Sequence, residues 1–108
     1  MSIRLAAATG FLLGIIVAAQ AATTMAVGQK GMKLTQSSAS LAQGDRIVFV
    51  NDDDIVHDIQ IFGPGEDDSS DLGLQKPGAQ QSYQFDKTGA YRIRCNIHPS
   101  MKMAVTVE

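Results

Sequence analysis

The chain has 108 residues, 44% hydrophobic and 19% charged, with a formal charge of −2; that suffices for one domain and excludes a large multidomain enzyme. Nine Lys and Arg stand against eleven Asp and Glu with no basic run, so there is no footprint for a phosphate backbone and nucleic acid is not an expected partner. There is no Trp and no long helical pattern, and the apolar residues fall in short stretches broken by Gly, Asn and Asp, which points to β-structure.

Residues 1–21 read as an export signal. Arg4 is followed by an apolar stretch from Leu5 to Ala19 and by Ala19-Gln20-Ala21, a small-x-small pattern for cleavage after Ala21. The alternative is a retained membrane anchor, against which stands an apolar run shorter than the ~20 residues of a spanning helix; with cleavage, no membrane association is expected. Removing these 21 residues takes away one cation, leaving residues 22–108 as a mildly acidic 87-residue domain of formal charge −3. A lipid anchor needs a Cys directly after the cleavage point, and the one Cys is Cys95. The expected compartment is the bacterial periplasm. One Cys in an exported domain closes no internal disulfide, so another use for that thiol is expected.

In chain order, Thr24 to Gln29 reads as a first strand, and Gly44-Asp45 turns into Arg46 to Val50, apolar on both faces after Arg46 and so a buried central strand. After the polar stretch Asn51 to Asp54, His57 to Phe62 alternates, with Ile59 and Ile61 on one side. Glu66 to Asp71, with four acids and no apolar side chain, reads as a solvated loop. Pro77-Gly78 leads into Gln81 to Phe85, and Asp86 to Gly89 leads into Ala90 to Cys95, where Tyr91, Ile93 and Cys95 share a face. Ala104 to Glu108, with Val105 and Val107 on one side, closes the pattern. Six or seven such strands predict an all-β fold, a two-sheet antiparallel Greek-key β-sandwich.

The chemistry concentrates in Cys95-Asn96-Ile97-His98-Pro99-Ser100-Met101. A thiolate, an imidazole and a thioether follow one another at intervals of three where a strand ends. His57 opens another strand; if the two strands are antiparallel neighbours, His57, Cys95 and His98 meet at one pole. Two imidazoles and a thiolate with a weak axial Met form the ligand set of a blue-copper electron-transfer site.

Cys-x-x-His-x-x-Met after Thr88-Gly89-Ala90-Tyr91-Arg92-Ile93-Arg94, with His57 downstream of Gly44-Asp45-Arg46-Ile47-Val48-Phe49-Val50-Asn51, resembles the cupredoxins, the small type 1 copper proteins, over essentially the whole of residues 22–108. The short gaps on both sides of His98 resemble the amicyanin group more than azurin or plastocyanin, and pseudoazurin is similar in overall pattern. The resemblance implies one type 1 copper ion, held by His57, Cys95 and His98 with Met101 axial. It implies a one-electron carrier and no enzyme, a monomer meeting a cytochrome, a dehydrogenase or another copper protein transiently. It also implies a backbone N–H donated to the Cys95 sulfur, and a surface-exposed His98 edge rimmed by apolar groups such as Pro99 and Pro64. Where the family commonly has Asn after the upstream His, this chain has Asp58; its carboxylate is expected to accept from the backbone N–H or side-chain amide of Asn96.

Several alternatives use the same residues. Met103 competes with Met101 as axial ligand, or either Met fills the core. Zinc suits one Cys and two His with a carboxylate or water. The domain can be a copper carrier or buffer without rapid redox cycling, or a thiol enzyme with Cys95 as nucleophile and His98 or His57 as base. The acids at Asp52 to Asp54 and Glu66 to Asp71 are either steering charges or a solvated face.

Overall fold

The computed structural model describes residues 21–108; the expected signal segment lies outside the described residues except for Ala21. Nine strands follow in order: β1 (Thr24–Lys30), β2 (Lys33–Leu34), β3 (Ser38–Leu41), β4 (Arg46–Asn51), β5 (His57–Phe62), β6 (Ser69–Gln75), β7 (Gln80–Gln84), β8 (Gly89–Cys95) and β9 (Lys102–Val107). They form a four-stranded sheet in the order β2-β1-β4-β7 and a five-stranded sheet in the order β3-β9-β8-β5-β6.

This is the expected all-β sandwich, with one difference in strand direction. β1 runs parallel to β4 and β3 parallel to β9, while the remaining pairings are antiparallel, so both sheets are mixed. Strand direction follows from which edge a returning segment reaches, and the alternation of side chains is blind to it.

The strands with clear alternation are the interior ones. β8 buries Tyr91, Ile93 and Cys95, β9 buries Met103, Val105 and Val107, and β5 buries His57, Ile59 and Ile61. β4 lies between β1 and β7 and turns Ile47 and Phe49 inward. Two strands carry no apolar signature: β3 is Ser-Ala-Ser-Leu, and β6 begins at Ser69 inside the stretch expected to be a loop. Both are edge strands, paired on one side only, so backbone hydrogen bonds hold them without a buried stripe. Between Asp58 and Gln60 the β5–β6 register slips by one residue. Gly73 sits at that bulge with φ +85°, a conformation few residues other than glycine adopt cheaply.

The core is a layer of aliphatic and aromatic side chains between the two sheets. Tyr83, Phe85 and Tyr91 stack edge to face with ring centroids 4.9 Å apart at each step, and the buried Tyr91 hydroxyl donates to the Lys87 carbonyl at 2.7 Å. At one end the apolar layer gives way to fully buried Gln29, Asn51, His57 and Gln75. That end carries the chemistry.

Candidate metal centre

β5 and β8 are antiparallel neighbours with Ile59 opposite Cys95, so the start of one strand and the end of the other share a pole. Three of the four residues singled out in the sequence are brought within reach of one ion. His57 Nδ1 lies 3.7 Å and His98 Nδ1 3.9 Å from Cys95 Sγ, and the three donor atoms all fall within 4.8 Å of one another. Bonds of about 2.0–2.3 Å to imidazole nitrogen and to sulfur would put a nitrogen and a sulfur on one ion roughly 3.7 Å apart, so the two His and the Cys would suit a single ion. The imidazole rings lie 5.2 Å apart, nearly edge to face at 74°.

A tight turn builds the rest of the loop. The Met101 N–H donates to the His98 carbonyl at 2.9 Å and the Cys95 N–H to the Met101 carbonyl at 3.0 Å. The chain thereby folds back on Cys95, and Met101 is buried. Met103 points into the core from β9 opposite Ile93, which removes it from the ligand loop. Cys95 and His57 are fully buried, whereas His98 is partly exposed.

The Asp58 N–H points at Cys95 Sγ, 3.4 Å away, as the resemblance implied. The expectation for the Asp58 carboxylate needs correction in part. The Asn96 N–H goes to the Asp58 main-chain carbonyl at 2.8 Å, and one carboxylate oxygen of Asp58 is buried without a hydrogen-bond partner. Burial, and then the neighbouring Asp71 carboxylate, push the Asp58 carboxyl up to about 6, with the Asn96 side chain opposing. Asp71, in turn, is held low by its hydrogen bond with Asp58 and by the Gly73 N–H. The Gly73 N–H, at the bulge, donates to Asp71 Oδ1 at 2.8 Å.

Asp53, expected with Asp52 and Asp54 to be a steering charge or part of a solvated face, meets His57. Its carboxylate sits 2.7 Å from His57 Nε2 and also accepts from the N–H groups of Gly31 and Met32 at 2.5 and 3.2 Å. Burial works against its charge, but His57 and the two N–H groups outweigh it and hold the carboxyl below its usual range. An ionised Asp53 takes the Nε2 hydrogen, which leaves Nδ1 as the lone-pair donor facing Cys95. The available signal was its position four residues before the His.

Beneath this lies a polar network that joins the sheets. Gln29 Nε2 donates to Gln75 Oε1 at 2.5 Å, and Gln75 Nε2 donates to the carbonyls of Phe49 and Ala79. Asn51 Nδ2 donates to the carbonyls of Ile55 and Gln75, while its Oδ1 accepts from the Asp53 N–H at 3.0 Å. The 52–56 loop is therefore fixed from below, and with it both His57 and Asp53. The expected rim is half right in position: Pro99 follows His98, but Pro64 sits at the opposite pole against Gly89, beyond the far end of β5. Ile55, Val56 and Ile97, all partly exposed, flank the two His in sequence instead.

A β-sandwich with one buried Cys and two His at a single pole defines a single-copper cupredoxin. The chain belongs to the plastocyanin/azurin family of copper binding proteins, whose sequence profile matches residues 21–108. The class is that of small copper electron carriers. Solved structures agree on the fold. A reduced Cu(I) form of an amicyanin variant superposes with a TM-score of 0.71 at 24% identity, covering 85% of this chain and 87% of that one. A second Cu(I) amicyanin variant gives 0.71 at 22%, covering 79% and 82%. A purple cupredoxin from Nitrosopumilus maritimus gives 0.65 at 19%, covering 78% and 99%. No curated protein sequence matches the chain.

Proposed function

We propose that this protein is an exported, periplasmic one-electron carrier in which His57 Nδ1, Cys95 Sγ and His98 Nδ1 would hold a copper ion with the Met101 thioether as a weak fourth ligand, and that it passes electrons between transient protein partners. The observation that carries this reading is the convergence of three donor atoms at one pole with unequal burial: two ligands sealed in the core and one, His98, reaching the surface. Copper supplies a Cu(I)/Cu(II) couple at that point.

The chain's own residues do the rest. The Asp53–His57 contact and the Asn51–Gln75 network hold the first imidazole in place, and the 98–101 turn holds the second. Side chains fixed before the electron arrives have little to rearrange when it leaves. The Asp58 N–H directed at Sγ withdraws charge from the thiolate. Burial of Cys95 takes it out of reach of a substrate, which counts against a nucleophilic role. Burial of two ligands also speaks for an ion that is retained rather than delivered. His98, with Ile97 and Pro99 beside it, offers a small, largely apolar contact suited to brief encounters.

The test is the visible absorption and EPR spectrum of residues 22–108 refolded with Cu(II). The expected result is an intense thiolate-to-copper band, bleached by ascorbate and restored by oxidant, lost in Cys95→Ser and shifted but retained in Met101→Leu. A colourless protein that binds copper or zinc without a redox-reversible band would overturn the reading.

A further inference from the structure

The outer face of the five-stranded sheet carries a cationic groove that the metal centre does not use. Arg92 and Arg94 project outward from β8, and Lys102 projects from β9 directly opposite Arg94 in the strand register. Phe62 on β5 lies opposite Arg92, and the guanidinium carbons of Arg94 and Arg92 stand 5.0 and 5.7 Å from the centroid of its ring. Stacking on an aromatic face orders guanidinium groups without consuming their N–H donors. Among the described residues none of these three cations forms an ion pair. With Ser37, Pro99 and Ala104 they line a groove of about 600 Å³.

The placement is unusual for this chain. Residues 22–108 are acidic overall, yet three cations stand together here without counter-charges. Of the acids on the same face, Asp71 lies on the β6 edge strand opposite Gln60, and Asp58 lies at the metal end of β5, its carbonyl accepting from the Asn96 N–H. The groove also runs up to the metal centre: Arg94 precedes Cys95, and Pro99 follows His98.

We propose that this groove is the docking surface for an acidic protein redox partner, which sits over Phe62, Arg92, Arg94 and Lys102 and is thereby placed beside the exposed edge of His98. This rests on the electron-carrier reading and adds to it the charge of the partner. Carboxylates fit the surface because pre-ordered guanidinium groups bind them in bidentate fashion, and local cations steer an acidic partner even when the net charge of the carrier opposes it.

The test uses two anionic probes on the copper-loaded protein. In the kinetic arm, the Cu(I) protein gives one electron to hexacyanoferrate(III), yielding the Cu(II) protein and hexacyanoferrate(II) with no bond made or broken and no proton moved. The rate constant is expected to fall as salt rises. It is expected to be about tenfold lower in Arg92→Gln/Arg94→Gln at low salt, the difference vanishing near 1 M, where the screening length is about 3 Å. Arg46→Gln/Lys87→Gln, which removes the same charge at the opposite pole, is expected to change the rate by no more than about twofold. In the second arm, hexacyanochromate(III), which takes no electron here, is expected to broaden the NMR signals of residues 92–94 and 102–104, and poly-L-glutamate to displace it and to slow the kinetic arm. A rate that rises with salt, equal effects of the two double variants, broadening centred elsewhere, or no competition by poly-L-glutamate would overturn the proposal. A wild-type protein without a redox-reversible band would instead overturn the carrier reading, and the NMR map would then decide the docking surface alone.

Discussion

Replacing Asp53 by Ala isolates the part of the metal centre that lies beyond the ligands. The Asp53 side chain is 9% exposed and the His57 side chain fully buried, so water does not readily replace the lost acceptor at Nε2. Two consequences follow. The imidazole loses the partner that selects its tautomer, and part of its population then presents an N–H at Nδ1 where a lone pair is required. Losing such a partner weakens metal binding by about 10–100-fold, or roughly 1.4–2.8 kcal/mol. The buried Nε2–H, left unpaired, costs the apo fold about 1–3 kcal/mol, while the N–H groups of Gly31 and Met32, which belong to exposed residues, are rehydrated at little cost. Asp53→Asn keeps an oxygen for the same hydrogen without the charge, so its loss of affinity should stay below about tenfold. The assay is competition for copper against a chelator of known affinity, read by the visible band, with urea unfolding of both apo variants alongside. An Asp53→Ala protein that is folded, with the wild-type slope in urea, and that binds copper within about twofold of wild type would refute the claim that Asp53 sets the His57 ring.

Three further predictions come from other parts of the molecule. The Asp58 carboxyl is raised to about 6, so its contribution favours the folded apo protein below the ordinary carboxylate range and is lost as the pH rises through 6; Asp58→Asn should remove that loss. The check is the urea midpoint of both proteins at acid and neutral pH, and a wild type that gains stability over that interval relative to Asp58→Asn would contradict it. Gln75→Leu strands the carbonyls of Phe49 and Ala79 and the Gln29 amide, and should cost about 1–3 kcal/mol or more with weaker copper retention; unchanged stability would mean the network is dispensable. Phe85→Ala empties the middle of the Tyr83–Phe85–Tyr91 stack and should cost about 3–5 kcal/mol, measured by denaturant unfolding, while leaving the visible spectrum of the folded protein unchanged.

The copper chemistry was legible in the sequence because it is written in a few residue types at short range. Cys95, His98 and Met101 occupy one loop, and a lone Cys with two His leaves little choice of soft donors. The interior strands were legible for a related reason: β5, β8 and β9 are buried on one face, and burial imposes a period of two on Ile59 and Ile61, on Tyr91 and Ile93, and on Val105 and Val107. The edge strands β3 and β6 carry no such imprint, since half their pairing is with solvent and the other half is made by backbone groups that every residue supplies. The parallel pairings of β1 with β4 and β3 with β9 left no trace either, because reversing a strand does not change which side chains alternate. The role of Asp53 was hidden by the equivalence of Asp52, Asp53 and Asp54 as letters; only the folded loop selects the one that meets His57. The cationic groove is a purely tertiary object. Phe62, Arg92, Arg94 and Lys102 lie up to 40 positions apart in the chain, and strand register, which depends on contacts across the whole sheet, decides that they meet.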